Sequence, residues 1–174
     1  MTSVPEHVRW AVELLDPGPG DRLLEIGCGP GVSVALICQR LTGGRIVAID
    51  RSATAIARAN KRNASHVAAG KAVLRRVALE DLHPADVLAG GERFDKVLAV
   101  NVNLFWVRSP AAELALVRRL LRPDGALYLC YGYGGRPLAG RVAGVLSGHL
   151  TGHGFAVEVS RGPGMLGVVA KPTG

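Results

Sequence analysis

Apolar residues are bunched along this chain in short blocks, with stretches between them that read as helices. "RLLEIG", "RIVAID", "AVLRRVAL", "FDKVLAVNV" and "ALYLCYGY" are five such blocks. A run of this length, rich in Val, Ile and Leu, is the pattern of a strand covered on both faces. Ahead of the first block, Pro5 opens a short amphipathic helix with Trp10, Leu14 and Leu15 on one side, stopped by "DPGPGD" at residues 16–21. The segment after Gly31 reads as a helix ending near residues 42–44, and Ser52 caps another that runs to about Ser65. Ser109 and Pro110 supply an N-cap and a first helical residue for the next, which ends at "RPDG", residues 122–125. A last helix is expected from about Leu138 to Gly152.

Strands joined by single helices imply a parallel sheet with right-handed crossovers. The two final blocks, "FAVEVS" and "MLGVVAKP", are joined only by "RGPG". That joint is too short for a crossover, so the pair must be an antiparallel hairpin. The expected fold is α/β, a doubly wound seven-stranded, mostly parallel sheet with a C-terminal antiparallel hairpin and helices on both faces. No repeat or linker divides residues 1–174, which read as a single domain. Residues 1–20 form a helix and lead-in that would serve as a lid.

In such sheets ligands lie at the carboxyl ends of the strands, where strand order reverses. The first strand delivers Gly27, Gly29 and Gly31 there, and Asp50 ends the second strand where a carboxylate can accept from ribose hydroxyls. A dinucleotide such as NAD and S-adenosylmethionine (SAM) both carry ribose. The spacing is GxGxG with Val32 in the next place, whereas a dinucleotide fingerprint puts its third glycine one residue later. A hairpin ending is also unusual for a dinucleotide domain.

"LLEIGCGPG", "IVAIDRS", "RFDKVLAVNV" and "LLRPDGALYL", in that order, together resemble the motifs of class I SAM-dependent methyltransferases, as does the hairpin finish. The resemblance covers roughly residues 20–171. It implies SAM as cofactor and S-adenosylhomocysteine as product. It also implies roles: backbone of Gly27, Cys28, Gly29 and Gly31 against the aminocarboxypropyl part of SAM, and Glu25 near its ammonium. Asp50 would grip the ribose, and Arg51 would flank the adenine. Where the family often has an Asp that accepts from the adenine amino group, this chain has Ala78. Leu79 backbone would then serve the adenine, with Glu80 or Asp81 as the replacement acceptor.

On the acceptor side, Asn101 falls beside the methionine end of SAM, and Asn103 and Trp106 are candidates to orient and wall the acceptor. Methyl transfer needs alignment and, for some acceptors, removal of a proton. The weak candidates for catalysis are Asn103 and, as a base from the N-terminal helix, His7. Arg108 and Arg136 fall in loops at the carboxyl edge and suggest a substrate with carboxylate or phosphate. His149 and His153 are four apart, but no acid follows in zincin spacing and the cysteines are distant, so no metal is expected.

Composition narrows the alternatives. Hydrophobic residues at 48% and charged ones at 20% exclude a disordered chain. The net charge of +7 raises a nucleic-acid partner, but the cations are scattered and lack interleaved aromatics. The start of the chain lacks signal-peptide character, no apolar run can span a membrane, and Cys28, Cys38 and Cys130 show no CxxC spacing. A cytoplasmic monomer or homodimer is expected, transferring methyl to the O, N or C of a small molecule. The alternatives are methylation of RNA or protein, and a SAM-binding partner protein without transferase activity.

Overall fold

The computed structural model describes residues 3–133 and 139–174. Helix α1 (Glu6–Leu15) leads into β1 (Arg22–Ile26), α2 (Val32–Arg40), β2 (Arg45–Asp50), α3 (Ala53–Arg62), α4 (Ala64–Ala68) and β3 (Ala72–Arg76). Two short 3-10 turns, Leu79–Asp81 and Pro84–Asp86, precede β4 (Phe94–Val100). The chain continues through α5 (Leu104–Val107), α6 (Ala111–Leu120), β5 (Leu121–Gly132), α7 (Ala139–Gly152), β6 (Phe155–Gly162) and β7 (Met165–Pro172). The seven strands lie in the order β3-β2-β1-β4-β5-β7-β6. Pairings from β3 through β5 are parallel, whereas β7 is antiparallel to both β5 and β6. The strand order reverses between β1 and β4, which opens a crevice at their carboxyl ends.

Alternation of side chains along each strand sends residues to two separate cores. Leu24, Ile26, Val97 and Leu129 pack beneath α6 and α7 through Leu114, Val117, Val142 and Leu146. On the opposite face Leu23, Ile46, Ala48 and Leu98 meet α1 and α2 through Ala11, Leu15, Val34 and Ile37. Burial of both faces is why the central strands read as unbroken apolar runs.

Helix α1 buries Val8, Ala11, Val12 and Leu15 against the domain. Its outer edge lies across the closing strands. A Cβ placed on Gly162 would come within 2.9 Å of the Trp10 indole nitrogen, and one on Gly167 within 2.9 Å of the same ring. The two glycines leave the sheet flat enough there to seat the tryptophan.

Several boundaries differ from those expected. Ser52 does cap α3, its hydroxyl accepting from Ala55 N–H at 3.2 Å, but the helix breaks at Asn63 before resuming as α4. Pro110 is itself the cap residue of α6, one place later than the Ser109 cap predicted, and the cap has no side-chain bond. The "RPDG" segment belongs to the leading part of β5, where the register with β4 jumps from Phe94↔Leu121 to Lys96↔Ala126. The third strand stops at Arg76, short of Ala78. His153 lies beyond the end of α7, so the two histidines do not share a helix face.

Candidate functional site

A cleft of about 510 Å³ occupies the reversal point. Its walls are the ends of β1 and β2 (Ile26, Gly27, Ile49, Asp50, Arg51), the turn after β3 (Val77 to Glu80), and the segment after β4 (Asn101 to Leu104, Val107 and Arg108). Asp50, Arg51, Ala78, Leu79, Glu80, Asn101, Asn103, Arg108 and Gly27 are thus brought together. Glu25, Cys28, Gly29, Gly31, Trp106 and His7 lie outside the lining. Arg136 lies outside the described residues.

The glycine turn is built by left-handed backbone at all three glycines, with φ of +67° at Gly27, +53° at Gly29 and +73° at Gly31. Close packing adds a second requirement at two of them. A Cβ on Gly27 would meet Val102 at 2.7 Å, and one on Gly31 would meet Asn63 Nδ2 at 2.6 Å and Ala59 Cβ at 2.9 Å. Asn63 is fully buried, and its amide donates to the Gly31 and Ala59 carbonyls at 3.0 Å each, pinning α3 against the start of α2. Sequence reading missed Asn63. Its signal was a polar residue interrupting a helix, which composition alone cannot separate from a solvated one.

The turn is internally bonded. Cys28 N–H donates to Ile49 O, Gly31 N–H to Cys28 O, and Gly29 N–H to Asp50 Oδ2 at 2.9 Å. The amides of Cys28, Gly29 and Gly31 are therefore committed within the chain. Asp50 Oδ1 accepts from Ser52 N–H at 2.8 Å, which fixes the carboxylate plane while leaving a lone pair on each oxygen. A carboxylate held in this way at a cleft wall is suited to a pair of vicinal hydroxyls.

Glu25 sits under the turn with 1% exposure. Oε1 accepts from Ser33 Oγ, and Oε2 has no partner. Burial raises its pKa to about 8, the nearby Asp50 charge adding to the rise and the Ser33 hydroxyl opposing it. Burial also pushes the Cys28 thiol up, so it stays protonated, and Cys38 and Cys130 are likewise buried and free.

Beyond β4, Asn101 adopts φ +56°, an uncommon conformation for a residue with a side chain. Its Oδ1 accepts from Gly132 N–H at 2.9 Å, linking the ends of β4 and β5. Asn103 and Trp106 are bonded to each other, the indole Nε1–H donating to Asn103 Oδ1 at 3.2 Å. Arg108 is paired with Glu113, whose carboxylate is 4% exposed. His7 packs on the carboxyl end of β5, its Cβ within 2.7 Å of a Cβ placed on Gly132. His149 Nδ1 is bonded to Phe105 O and His153 Nδ1 to His149 O. Among the described residues no group of three metal-ligating side chains comes together, and no helix is long and apolar enough to cross a membrane.

Fold, switch-point cleft and acid-ended second strand define a nucleoside-binding α/β domain, and comparison with known proteins narrows it. Residues 23–125 match the family described as "Methyltransferase domain", and the chain belongs to this family, the class I SAM-dependent methyltransferases. It is 35% identical over 122 residues to a nocamycin O-methyltransferase of Saccharothrix syringae, covering 70% of this chain and 41% of that protein. It is 30% identical over 125 residues to a trans-aconitate 2-methyltransferase of Delftia acidovorans, covering 70% and 43%. The chain spans under half the length of these curated relatives. A SAM-dependent methyltransferase structure from Aquifex aeolicus superposes with a TM-score of 0.75 at 14% identity, covering 94% of this chain and 88% of that one.

SAM is the cofactor of this family, and the residues present fit it. The cleft volume lies within the range of small-molecule sites. Asp50 keeps acceptor capacity at the wall, and Gly27 takes a conformation and a packing distance that a side chain would spoil.

Proposed function

We propose that this chain is a SAM-dependent methyltransferase domain acting on a small-molecule acceptor. The observation that carries the reading is the Asp50 carboxylate, oriented by Gly29 and Ser52 amides at the wall of the switch-point cleft. Asp50 holds the two ribose hydroxyls through its remaining lone pairs. Ala78 and Leu79 backbone meets the adenine, Arg51 covers its outer edge, and Glu80 supplies the acceptor for its amino group in place of the family's Asp. Asn101 holds the methionine end, and Asn103, steadied by the Trp106 indole, bounds the acceptor with Leu104 and Val107.

Bound in this cleft, SAM supplies a methyl carbon made electrophilic by a positively charged sulfur. The contribution of the chain is alignment: a fixed carboxylate at one end and a bonded pair of strand ends at the other set the ligand's position. The names of the relatives, a nocamycin and a trans-aconitate methyltransferase, support a small acceptor. Calorimetry with SAM, S-adenosylhomocysteine and NAD in parallel tests the reading. Micromolar binding of the first two without NAD is expected, and binding of NAD alone would overturn it.

One feature favours a second reading, methylation of RNA. Arg51, Arg58, Lys61, Arg62, Arg75 and Arg76 are all exposed along α3, β3 and the end of β2, and no described carboxylate pairs with them. RNA affinity falling steeply with salt, and lost when Arg58, Lys61 and Arg62 become Glu, would favour it.

A further inference from the structure

Past Val100↔Cys130, the last ladder pair of β4 and β5, the main chain leaves the sheet, because Asn101 takes its left-handed conformation there. Residues Asn101 to Leu104 then wall the cleft, so whatever holds this segment sets the shape of the site. Bonds to β5 hold it. Asn101 N–H donates to Cys130 O at 2.8 Å, Gly132 N–H to Asn101 Oδ1 at 2.9 Å, and Tyr131 O–H to Val102 O at 2.8 Å. The first two stop at Asn101, whereas the tyrosine reaches one residue further along the wall.

Tyr131 makes a firm post. Its main chain pairs with Leu166 of β7, its ring stacks on Tyr133 with centroids 5.8 Å apart, and it is 2% exposed. A hydroxyl buried to this extent meets little competition from water for the carbonyl it holds. Val102 in turn meets the glycine turn: a Cβ on Gly27 would come within 2.7 Å of Val102 Cγ2. Both Gly27 and Val102 line the cleft, and Tyr131 does not. A packed path therefore runs from β5, over the exit of β4, to the end of β1.

Resting on the methyltransferase reading above, we infer that Tyr131 is a positioning residue for SAM, acting through Val102 on the wall that meets the methionine end. The hydroxyl tethers the Val102 carbonyl, which keeps the Val102 side chain against Gly27. Without that tether the ring still fills its place in the core, but the wall can swing away from Gly27 and the ligand's tail loses its fixed seat.

Binding of S-adenosylhomocysteine to the whole chain, measured by calorimetry well below each variant's Tm, tests this. Tyr131→Phe removes one oxygen and keeps the ring. It should reduce affinity about fivefold or more, roughly the effect of one lost hydrogen bond. Val102→Ala keeps the carbonyl and its bond but removes the contact with Gly27, and a similar loss is expected. Because both changes act on one path, the double variant should bind little worse than the weaker single variant, well short of the product of the two losses. S-adenosylhomocysteine isotope-labelled in the homocysteine tail and in the ribose locates the effect by NMR. In Tyr131→Phe the bound tail signals should move while the ribose signals stay. A lowered Tm with wild-type affinity in Tyr131→Phe would reduce the tyrosine to a core residue and overturn the inference. Multiplied losses in the double variant, or ribose signals that move as far as those of the tail, would overturn it too. Should Tyr131→Phe not fold, wild-type affinity in Val102→Ala would overturn it alone. Failure of the unaltered chain to bind S-adenosylhomocysteine would instead overturn the methyltransferase reading beneath it.

Discussion

Asp50 and Gly29, 21 residues apart, are joined by a 2.9 Å bond from the glycine amide to carboxylate Oδ2. This contact ties the end of β2 to the turn leaving β1, so one side chain both shapes the turn and faces the cleft. Asp50→Ala should therefore weaken SAM binding by roughly ten- to a hundredfold, the range for losing hydrogen bonds to a charged group. Calorimetry measures this directly, and an unchanged Kd would remove Asp50 from the ribose role. Asp50→Asn keeps an oxygen for one of the two amides and should fall between wild type and Ala.

Gly31→Ala tests the packing beneath the turn. The new methyl would take a left-handed backbone and press on Asn63 and Ala59, whose positions are fixed by the Asn63 bonds. The expected loss of stability is about 1–3 kcal/mol, read by urea unfolding. Asn63→Ala, which makes room for the methyl, should recover part of the steric loss while adding its own cost.

Glu25 predicts a dependence of stability on pH. Its folded pKa of about 8 lies above the ordinary value of 4.5, so the folded protein retains a proton that the unfolded chain releases. Between these two values the unfolded state binds fewer protons, and stability must fall as pH rises. The favourable contribution is complete below about pH 4.5 and is lost by about pH 8. Glu25→Gln removes the titrating group. Its Tm relative to wild type should climb from pH 5 to pH 8, and a constant difference across that range would contradict the assignment.

Arg108 separates structural from ligand-binding effects. Glu113 is buried, and removing its guanidinium partner leaves a carboxylate without compensation. Arg108→Ala should lower Tm by several degrees, and adding Glu113→Gln should restore most of that loss. Acceptor affinity, by contrast, should stay low in the double variant. Its full recovery would reduce Arg108 to a partner of Glu113 and nothing more.

The mostly parallel sheet, its antiparallel closing hairpin and the place of the cleft were legible because continuous apolar runs and short joints leave few topologies. The glycine positions were equally legible, since positive φ selects for them. What the sequence concealed were contacts between distant or similar groups. Nothing local distinguishes Asn63, sealed under the turn, from Asn60 three residues earlier on the exposed face of α3. The bond between Asn103 and Trp106 depends on a four-residue helix too short to show a period. The burial of Glu25 follows from strand alternation, which sends it to the same face as Leu23 and beneath α2, where Ser33 meets it. The "RPDG" segment carries turn chemistry, and it is the stretch that no β4 residue pairs with, lying between the Phe94↔Leu121 and Lys96↔Ala126 partners.

The seating of Trp10 over Gly162 and Gly167 has a kinetic side. Helix α1 covers strands about 150 residues further along the sequence, so its apolar stripe must wait, solvated or loosely held, until the β6–β7 hairpin has formed. Closure across so long a span is slow, and it makes α1 and the β6–β7 hairpin a single cooperative unit in folding. Loosening that clasp, for example with Trp10→Ala, should expose the hairpin edge to misassembly before it disturbs the cleft.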